Sequence, residues 1–342
     1  MDDLIKKFGK GVLITGDKLK DVTNPIVHVS PKLDIVLGGG IPGGSVVTLA
    51  GMPKSGKTLS ALHIAGNAQK CGRPIYYLNV EGRIKPRDID GIKCLDKSKL
   101  NIVRSYRDEG GTSHILTAEE FLAAAEHIIH TVPSAVVIID SISQLVTSGE
   151  LSKDIGEQSR APGAMLLAQF TRKLSNVIPV NDIILIGILH FIANTSGYGK
   201  SQVASGGNKI KYACDIGLEC KGFTYLRDGG KEDNTSKPYG QEVTWVTTST
   251  AFAPPGQTTT STIKYGVGID ELTELVQVAQ ELGFISKSGS WYKMTYMQEV
   301  IGTDYDEKKY NVQGERNLVL RLENNEGERL ALEKALQAMI TV

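Results

Sequence analysis

The chain has 342 residues, 41% apolar and 22% charged, the composition of an ordinary globular protein with room for one large domain or two to three smaller ones. Lysines plus arginines equal aspartates plus glutamates at 38 each, which excludes a global field drawing the chain to polyanions; any nucleic-acid surface must be local. The four cysteines (71, 94, 214, 220) lack C-x-x-C spacing, and no 18-residue apolar run or signal peptide is seen, so the expectation is buried free thiols, no membrane and a cytosolic protein.

In chain order, Asp2 to Phe8 predicts a short amphipathic helix, Gly9-Lys-Gly a turn, and Val12-Leu-Ile-Thr15 a strand. Lys6, Lys7, Lys10, Lys18 and Lys20 make this arm locally basic, either as a solvated surface or as a partner contact. Leu33 to Gly44 reads as a turn-rich segment feeding a β-branched strand at Ser45-Val-Val-Thr-Leu-Ala. Directly after it, Gly51 to Thr58 spell G-x-x-x-x-G-K-T, and a helical pattern follows. That strand–loop–helix context is what a phosphate-binding loop requires. Gly51 and Gly56 let successive N–H groups point into one concavity, and the helix start turns its positive end to the same anion. Lys57 adds a full charge at the β/γ-phosphates, and the Thr58 hydroxyl can hold Mg²⁺. The motif predicts a nucleoside triphosphate as ligand.

Beyond the loop, strand and helix patterns alternate. Arg73 to Val80 is a strand ending at Glu81; Thr117 and Glu120 form a capping box before a helix to Ile129; Ala135-Val-Val-Ile-Ile-Asp140 is an apolar strand ending in a carboxylate. Ala161 to Ile178 predicts a helix and Asp182 to His190 another buried strand. Apolar strands separated by helices predict a parallel sheet covered on both faces, with ligands at the strands' carboxyl ends. Thr58, Glu81, Asp140 and His190 all fall at or just past such ends. Asp140 suits the Mg²⁺ shell or a helix cap. Glu81 is a general base orienting water or a solvated charge, and His190 a γ-phosphate contact or a structural histidine.

Two long glycine-rich, polar loops run over 147–163 and 191–205, the second leading into Gly206-Gly-Asn-Lys-Ile-Lys. Arg160, Arg172, Lys200, Lys209, Lys211 and Tyr198 are groups that phosphate contact and base stacking would need; on composition alone, mobile surface loops fit as well. The Thr/Ser/Pro-biased run 247–262 is expected to be a loop or mobile edge. After Tyr265-Gly-Val-Gly the composition shifts, with helices expected at 269–282 and 326–339 around a strand-like Gly289 to Met294.

Phe8-Gly-Lys-Gly11, Leu33-Asp-Ile-Val-Leu-Gly38, the Gly51–Thr58 loop, Val80-Glu-Gly-Arg-Ile-Lys-Pro86, Val137-Ile-Ile-Asp-Ser-Ile142, Ile155-Gly-Glu157, Arg172-Lys-Leu174, Gly206-Gly-Asn-Lys-Ile-Lys211, Tyr265-Gly-Val-Gly-Ile269 and Ser290-Trp-Tyr292 stand in one order and spacing. The chain resembles the RecA/UvsX family of homologous recombinases, bacterial and phage-encoded. The resemblance implies an α/β fold with a RecA-type P-loop ATPase core of mostly parallel sheet. It divides the chain into a helix/strand arm for subunit packing (1–30), the core with two DNA-binding loops (31–267) and a small C-terminal α+β domain (268–342). It implies a DNA-dependent ATPase using ATP and Mg²⁺ that forms a helical filament on single-stranded DNA and exchanges strands with homologous duplex DNA. Mediator and single-strand-binding proteins would be further partners, in a bacterial or phage-infected cytosol. By the same resemblance Glu81, Lys57, Asp140 and His190 are catalytic, and Gly51, Pro53, Lys54, Ser55, Gly56, Lys57, Thr58, Leu59, Tyr265 and Gly266 hold nucleotide. Thr58 and Asp140 hold metal, and Arg160, Gly163, Arg172, Asn194, Tyr198, Lys200, Ser205, Gly206, Gly207 and Asn208 hold DNA.

The family's lysines are absent from Thr247-Thr-Ser-Thr250, and Lys85 and Asp88 stand where it usually has Asp and Tyr near the base and ribose. These departures keep an alternative open: a RecA-core ATP- and DNA-binding regulator or mediator without strand exchange.

Overall fold

Residues Ser45–Gly51 form a fully buried strand, β1, at the middle of the molecule. A computed structural model describes residues 2–18, 25–154, 162–193, 202–204, 213–228 and 235–340. Around β1 are β2 (Ile75–Asn79), β3 (Leu100–Val103), β4 (Val136–Asp140), β5 (Ile184–Ala193), β6 (Gln202–Ala204), β7 (Ile216–Leu226), β8 (Gly240–Ser249), β9 (Thr258–Lys264) and β10 (Gly268–Ile269). They build a ten-stranded sheet in the order β10-β9-β8-β7-β1-β5-β4-β2-β3, with β6 paired to β5. From β7 to β3 neighbours run parallel; β8, β9 and β10 add antiparallel edges.

Each parallel strand alternates between two cores. Val47, Leu49, Ile75, Tyr77, Val136, Ile138, Ile184 and Ile186 face one side, where α3 (Lys57–Lys70) packs. Val46, Ala50, Leu78, Val137, Ile139 and Leu185 face the other, covered by α4 (Ala118–Thr131) and α5 (Pro162–Leu174). Strands apolar on both faces are stable only when helices cover both, which is why these segments read as continuous apolar runs. α4 starts at the expected capping box: Thr117 Oγ1 accepts from Glu120 N–H (3.3 Å), and Glu120 Oε2 accepts from Thr117 N–H (2.7 Å).

A third core follows β10. α6 (Glu271–Glu281), the antiparallel strands β11 (Ser286–Ser288), β12 (Trp291–Lys293) and β13 (Asn311–Gln313), α7 (Glu315–Asn324) and α8 (Glu326–Ile340) enclose Val276, Met294, Tyr296, Leu318 and Leu332. α6 is pinned to the sheet's helices. His63 Nε2 on α3 lies 2.8 Å from Glu271 Oε1, and Lys32 N–H on α2 (Pro31–Leu37) donates to Glu274 Oε2 (3.3 Å). Glu274 is 1% exposed, and burial pushes its carboxyl up to about 7, against the pull of the Ser30 hydroxyl and Lys32 N–H. A carboxyl raised above its unfolded value contributes stability that is complete below about 4.5 and lost as pH rises through 7. Glu274→Gln is therefore expected to match the wild type at pH 4 and to exceed it by about 3 kcal/mol above pH 8. Urea unfolding at both pH values reads this, and a difference that does not change with pH overturns it.

Five expectations need correction. The four thiols are free as expected, but only Cys220 is buried and Cys71 is exposed. Val12 to Thr15 is not a strand: Lys10–Val12 is a 3₁₀ turn, and Val12, Leu13 and Ile14 are exposed with no partner strand among the described residues. The segment after Ser30 begins as α2 and turns only at left-handed Gly38, because Leu33, Val36 and Leu37 fit a helical core face. The helix from 161 breaks after Leu174 at Ser175-Asn176, and a short turn, Val177–Val180, follows. Both ends of the Thr-rich run are sheet, 247–249 in β8 and 258–262 in β9: β-branched threonines suit strands, and Thr247 Oγ1 accepts from Gln257 N–H (3.0 Å) to close the turn between them.

Candidate functional site

β1 ends at Gly51 and α3 begins at Lys57, leaving Met52–Gly56 as the loop over the sheet edge. Gly56 sits at φ 85°, and a Cβ there would lie 2.5 Å from Ile263 Cδ1 and 2.8 Å from Gln241 Nε2, so only glycine fits. A Cβ on Gly51 would meet Cys220 Cβ at 2.8 Å. Lys57 is 4% exposed, and its ammonium donates to the Gly51 carbonyl (3.1 Å) and the Met52 carbonyl (2.7 Å). Burial lowers its pKa, with the nearby Asp140 charge opposing. The ammonium is thus preset at the loop, where phosphate oxygens can replace the carbonyls.

Asp140 ends β4 and is 6% exposed. Its Oδ2 accepts from Thr58 Oγ1 (2.7 Å) and from Tyr77 OH (2.6 Å). Burial raises the carboxyl's pKa and the two hydroxyls pull it down. One carboxylate and one hydroxyl, buried together beside the phosphate loop, are oxygen donors of the kind Mg²⁺ takes in one or two protein positions beside phosphates. The residues fit that ion.

Glu81 follows β2, and its N–H donates to the Asp140 carbonyl (3.1 Å). Its Oε1 accepts from Ser141 Oγ (2.8 Å) and lies 2.5 Å from His190 Nε2. The hydrogen bond from His190 holds Glu81 below the usual carboxylate range; burial opposes this and Ser141 assists. His190 is delivered by register, since it lies opposite Gly51 in the β1–β5 ladder as Asn79 lies opposite Asp140 between β2 and β4. His190 N–H donates to Ser143 Oγ (2.9 Å), and its buried Nδ1 finds no partner among the described residues. Beyond it, Phe191 to Ala193 pair with β6, so a two-stranded ribbon rises directly from His190.

A cleft of about 730 Å³ joins these groups: Pro53 to Leu59, Glu81 and His190 line it together with Asp88, Tyr225, Gln241, Tyr265 and Gly266. A smaller one of about 260 Å³ joins Thr58, Glu81, Tyr77 and Asp140. Tyr265 OH donates to Gln241 Oε1 (3.2 Å). Asp88 does not stay free, because its Oδ2 accepts from Lys85 N–H (2.9 Å). The structure therefore brings together the sequence-predicted loop residues, Glu81, Asp140, His190, Tyr265 and Gly266. Arg172 is exposed near the end of α5 and Gly163 lies at its start. Arg160, Asn194, Tyr198, Lys200, Ser205, Gly206, Gly207 and Asn208 lie outside the described residues.

Sequence reasoning missed Tyr77, Ser141, Gln241 and Tyr225. The signal for Tyr77 was present: period two along β2 puts Tyr77 and Asn79 on one face, two residues apart, just before the turn that carries Glu81. Ser141 adjoins Asp140 in the chain. Gln241 and Tyr225 carried no local signal, because only the antiparallel half of the sheet brings them to the loop.

A mostly parallel sheet between helices, with a phosphate loop at its first central strand and carboxylates at two neighbouring strand ends, defines an α/β P-loop core. The family model for the RecA N-terminal domain matches residues 1–270. Protein RecA of Aquifex aeolicus (strain VF5) is 31% identical over 339 residues, covering 97% of this chain and 92% of that protein. Protein RecA of Aquifex pyrophilus is 31% identical, covering 91% and 85%. The DNA repair protein recA homolog 3, mitochondrial, of Arabidopsis thaliana is 29% identical, covering 98% and 73%. The chain belongs to the RecA family.

Proposed function

We propose that the chain is a DNA-dependent ATPase that assembles as filaments on single-stranded DNA and promotes homologous pairing and strand exchange. The observation that carries this is the Glu81–His190 contact at the mouth of the phosphate loop, with the β5–β6 ribbon beginning one residue further on. It links the group suited to orient water with the segment suited to answer to DNA.

In this reading the Met52–Gly56 backbone and Lys57 hold the triphosphate. Thr58 and Asp140 would hold Mg²⁺, which when bound neutralises charge on the phosphates. Glu81, kept ionised by His190 and Ser141, accepts a hydrogen bond from water and orients it. His190 exchanges its Glu81 partner for a phosphate oxygen when the cleft fills, and the ribbon moves with it. We propose the division 1–30, 31–267 and 268–342 for the arm, core and C-terminal domain, supported by the separate core after β10. Among the described residues no helix is long and apolar enough to cross a membrane.

Phosphate release with and without single-stranded DNA tests the proposal, with Lys57→Ala as control. The expected result is strong stimulation by DNA in the wild type and loss of turnover by about 10²-fold or more in the variant, since one preorganised charge at the transition state is worth that much. Turnover indifferent to DNA, despite measurable binding of ATP and DNA, overturns the recombinase reading and leaves a regulatory binding protein.

A further inference from the structure

We propose that Tyr225 is a second aromatic wall of the cleft which, with Tyr265, selects a purine base; this rests on the proposal that the cleft takes a nucleoside triphosphate. Tyr225 on β7 lies opposite Gln241 on β8, and Gln241 lies opposite Ile263 on β9. Directly opposed residues present their side chains on the same face of a sheet. Gln241 and Ile263 are the two groups that crowd Gly56, so this row faces the phosphate loop and Tyr225 extends it. Tyr265 approaches the same row from the turn after β9, its hydroxyl on Gln241 Oε1 at 3.2 Å. The two tyrosines thus flank one buried glutamine.

Both rings are left open to the cleft: Tyr225 is 39% and Tyr265 44% exposed, whereas Gln241 between them is 3% exposed. Tyr225 is steadied from its own strand, with Phe223 at its edge (centroids 5.4 Å) and the Arg227 guanidinium over its ring at 5.8 Å. Open, steadied aromatic rings beside a triphosphate loop suit base stacking, and stacking strengthens with ring area, so two walls favour a purine over a pyrimidine.

Calorimetric titration of the full chain with ATP, CTP and inorganic tripolyphosphate tests this, using the wild type, Tyr225→Ala and Tyr225→Phe. In Tyr225→Ala, ATP affinity is expected to fall about tenfold and the preference for ATP over CTP to shrink, tripolyphosphate binding staying unchanged. Tyr225→Phe, which keeps the ring, restores ATP binding. Wild-type ATP affinity in Tyr225→Ala overturns the wall, as does parallel loss of ATP and tripolyphosphate, which would mean damage to the loop. A wild type that binds neither ligand instead overturns the nucleotide reading, and the wall with it.

Discussion

Glu81→Gln should lower ATP turnover by about 10²–10⁴-fold while leaving ATP affinity little changed. The substitution keeps the volume and an oxygen for the Ser141 hydroxyl, so the turn after β2 is retained. What it removes is the negative charge that His190 and Ser141 hold in place, and with it the ability to polarise water toward a γ-phosphate. Lys57, Thr58 and Asp140 are untouched, so ground-state binding persists. The sign of the pH dependence follows from the lowered pKa: Glu81 remains ionised down to below the usual carboxylate range, so turnover keeps its acid side until pH falls under that range. His190→Ala removes the largest cause of the lowering in the empty cleft and should move the acid limb of kcat/KM, measured at subsaturating ATP, upward. Phosphate release at saturating and subsaturating ATP, paired with a binding titration, reads all of this. Unchanged turnover in Glu81→Gln would assign the water to another group.

Arg73→Ala should cost about 3–5 kcal/mol of stability, the largest effect expected outside the site. Arg73 is 5% exposed where β2 starts, and its guanidinium donates to the Ser134 carbonyl (3.1 Å), the Asp182 carbonyl (2.7 Å) and both carboxylate oxygens of Asp182 (3.0 and 2.9 Å). Ser134 and Asp182 stand in the left-handed region, at φ 56° and 54°, in the turns that feed β4 and β5. Each such residue is held there against a strain of about 1–3 kcal/mol. Truncating Arg73 removes both guanidinium bonds to the Asp182 carboxylate, leaving it the Ser134 hydroxyl (2.8 Å) among the described residues, and frees two strained turns at once. Urea unfolding measures the loss. The paired variant Arg73→Met with Asp182→Asn should recover part of it, since no charge is then left unpaired and Asn tolerates the left-handed region. A loss under about 1 kcal/mol would show that the turns hold themselves.

The parallel half of the fold was legible because burial on both faces writes itself as uninterrupted apolar runs, as at Val136–Asp140 and Ile184–Leu189. The antiparallel half was not. β8 and β9 are rich in threonine, which alternates between a buried and a wet face and so resembles a polar loop on composition. At the site, Gly51, Lys57, Thr58, Glu81, Asp140 and His190 could be named in advance because each follows a readable strand. Their grouping into two contacts, Thr58 with Asp140 and Glu81 with His190, could not be.

A phosphate loop between strand and helix, the carboxylates at the strand ends and a family resemblance along most of the chain can be read from residue types at short spacings, without any knowledge of the fold. Only the tertiary structure decided the strand order that sets His190 beside Gly51, the buried Asp140–Tyr77 contact, the Arg73 clamp and the meeting of Tyr225, Gln241 and Tyr265. Those pairs are separated by tens to hundreds of residues, and the free energy that joins them lies in non-local packing, which leaves no periodic trace in either partner's local sequence.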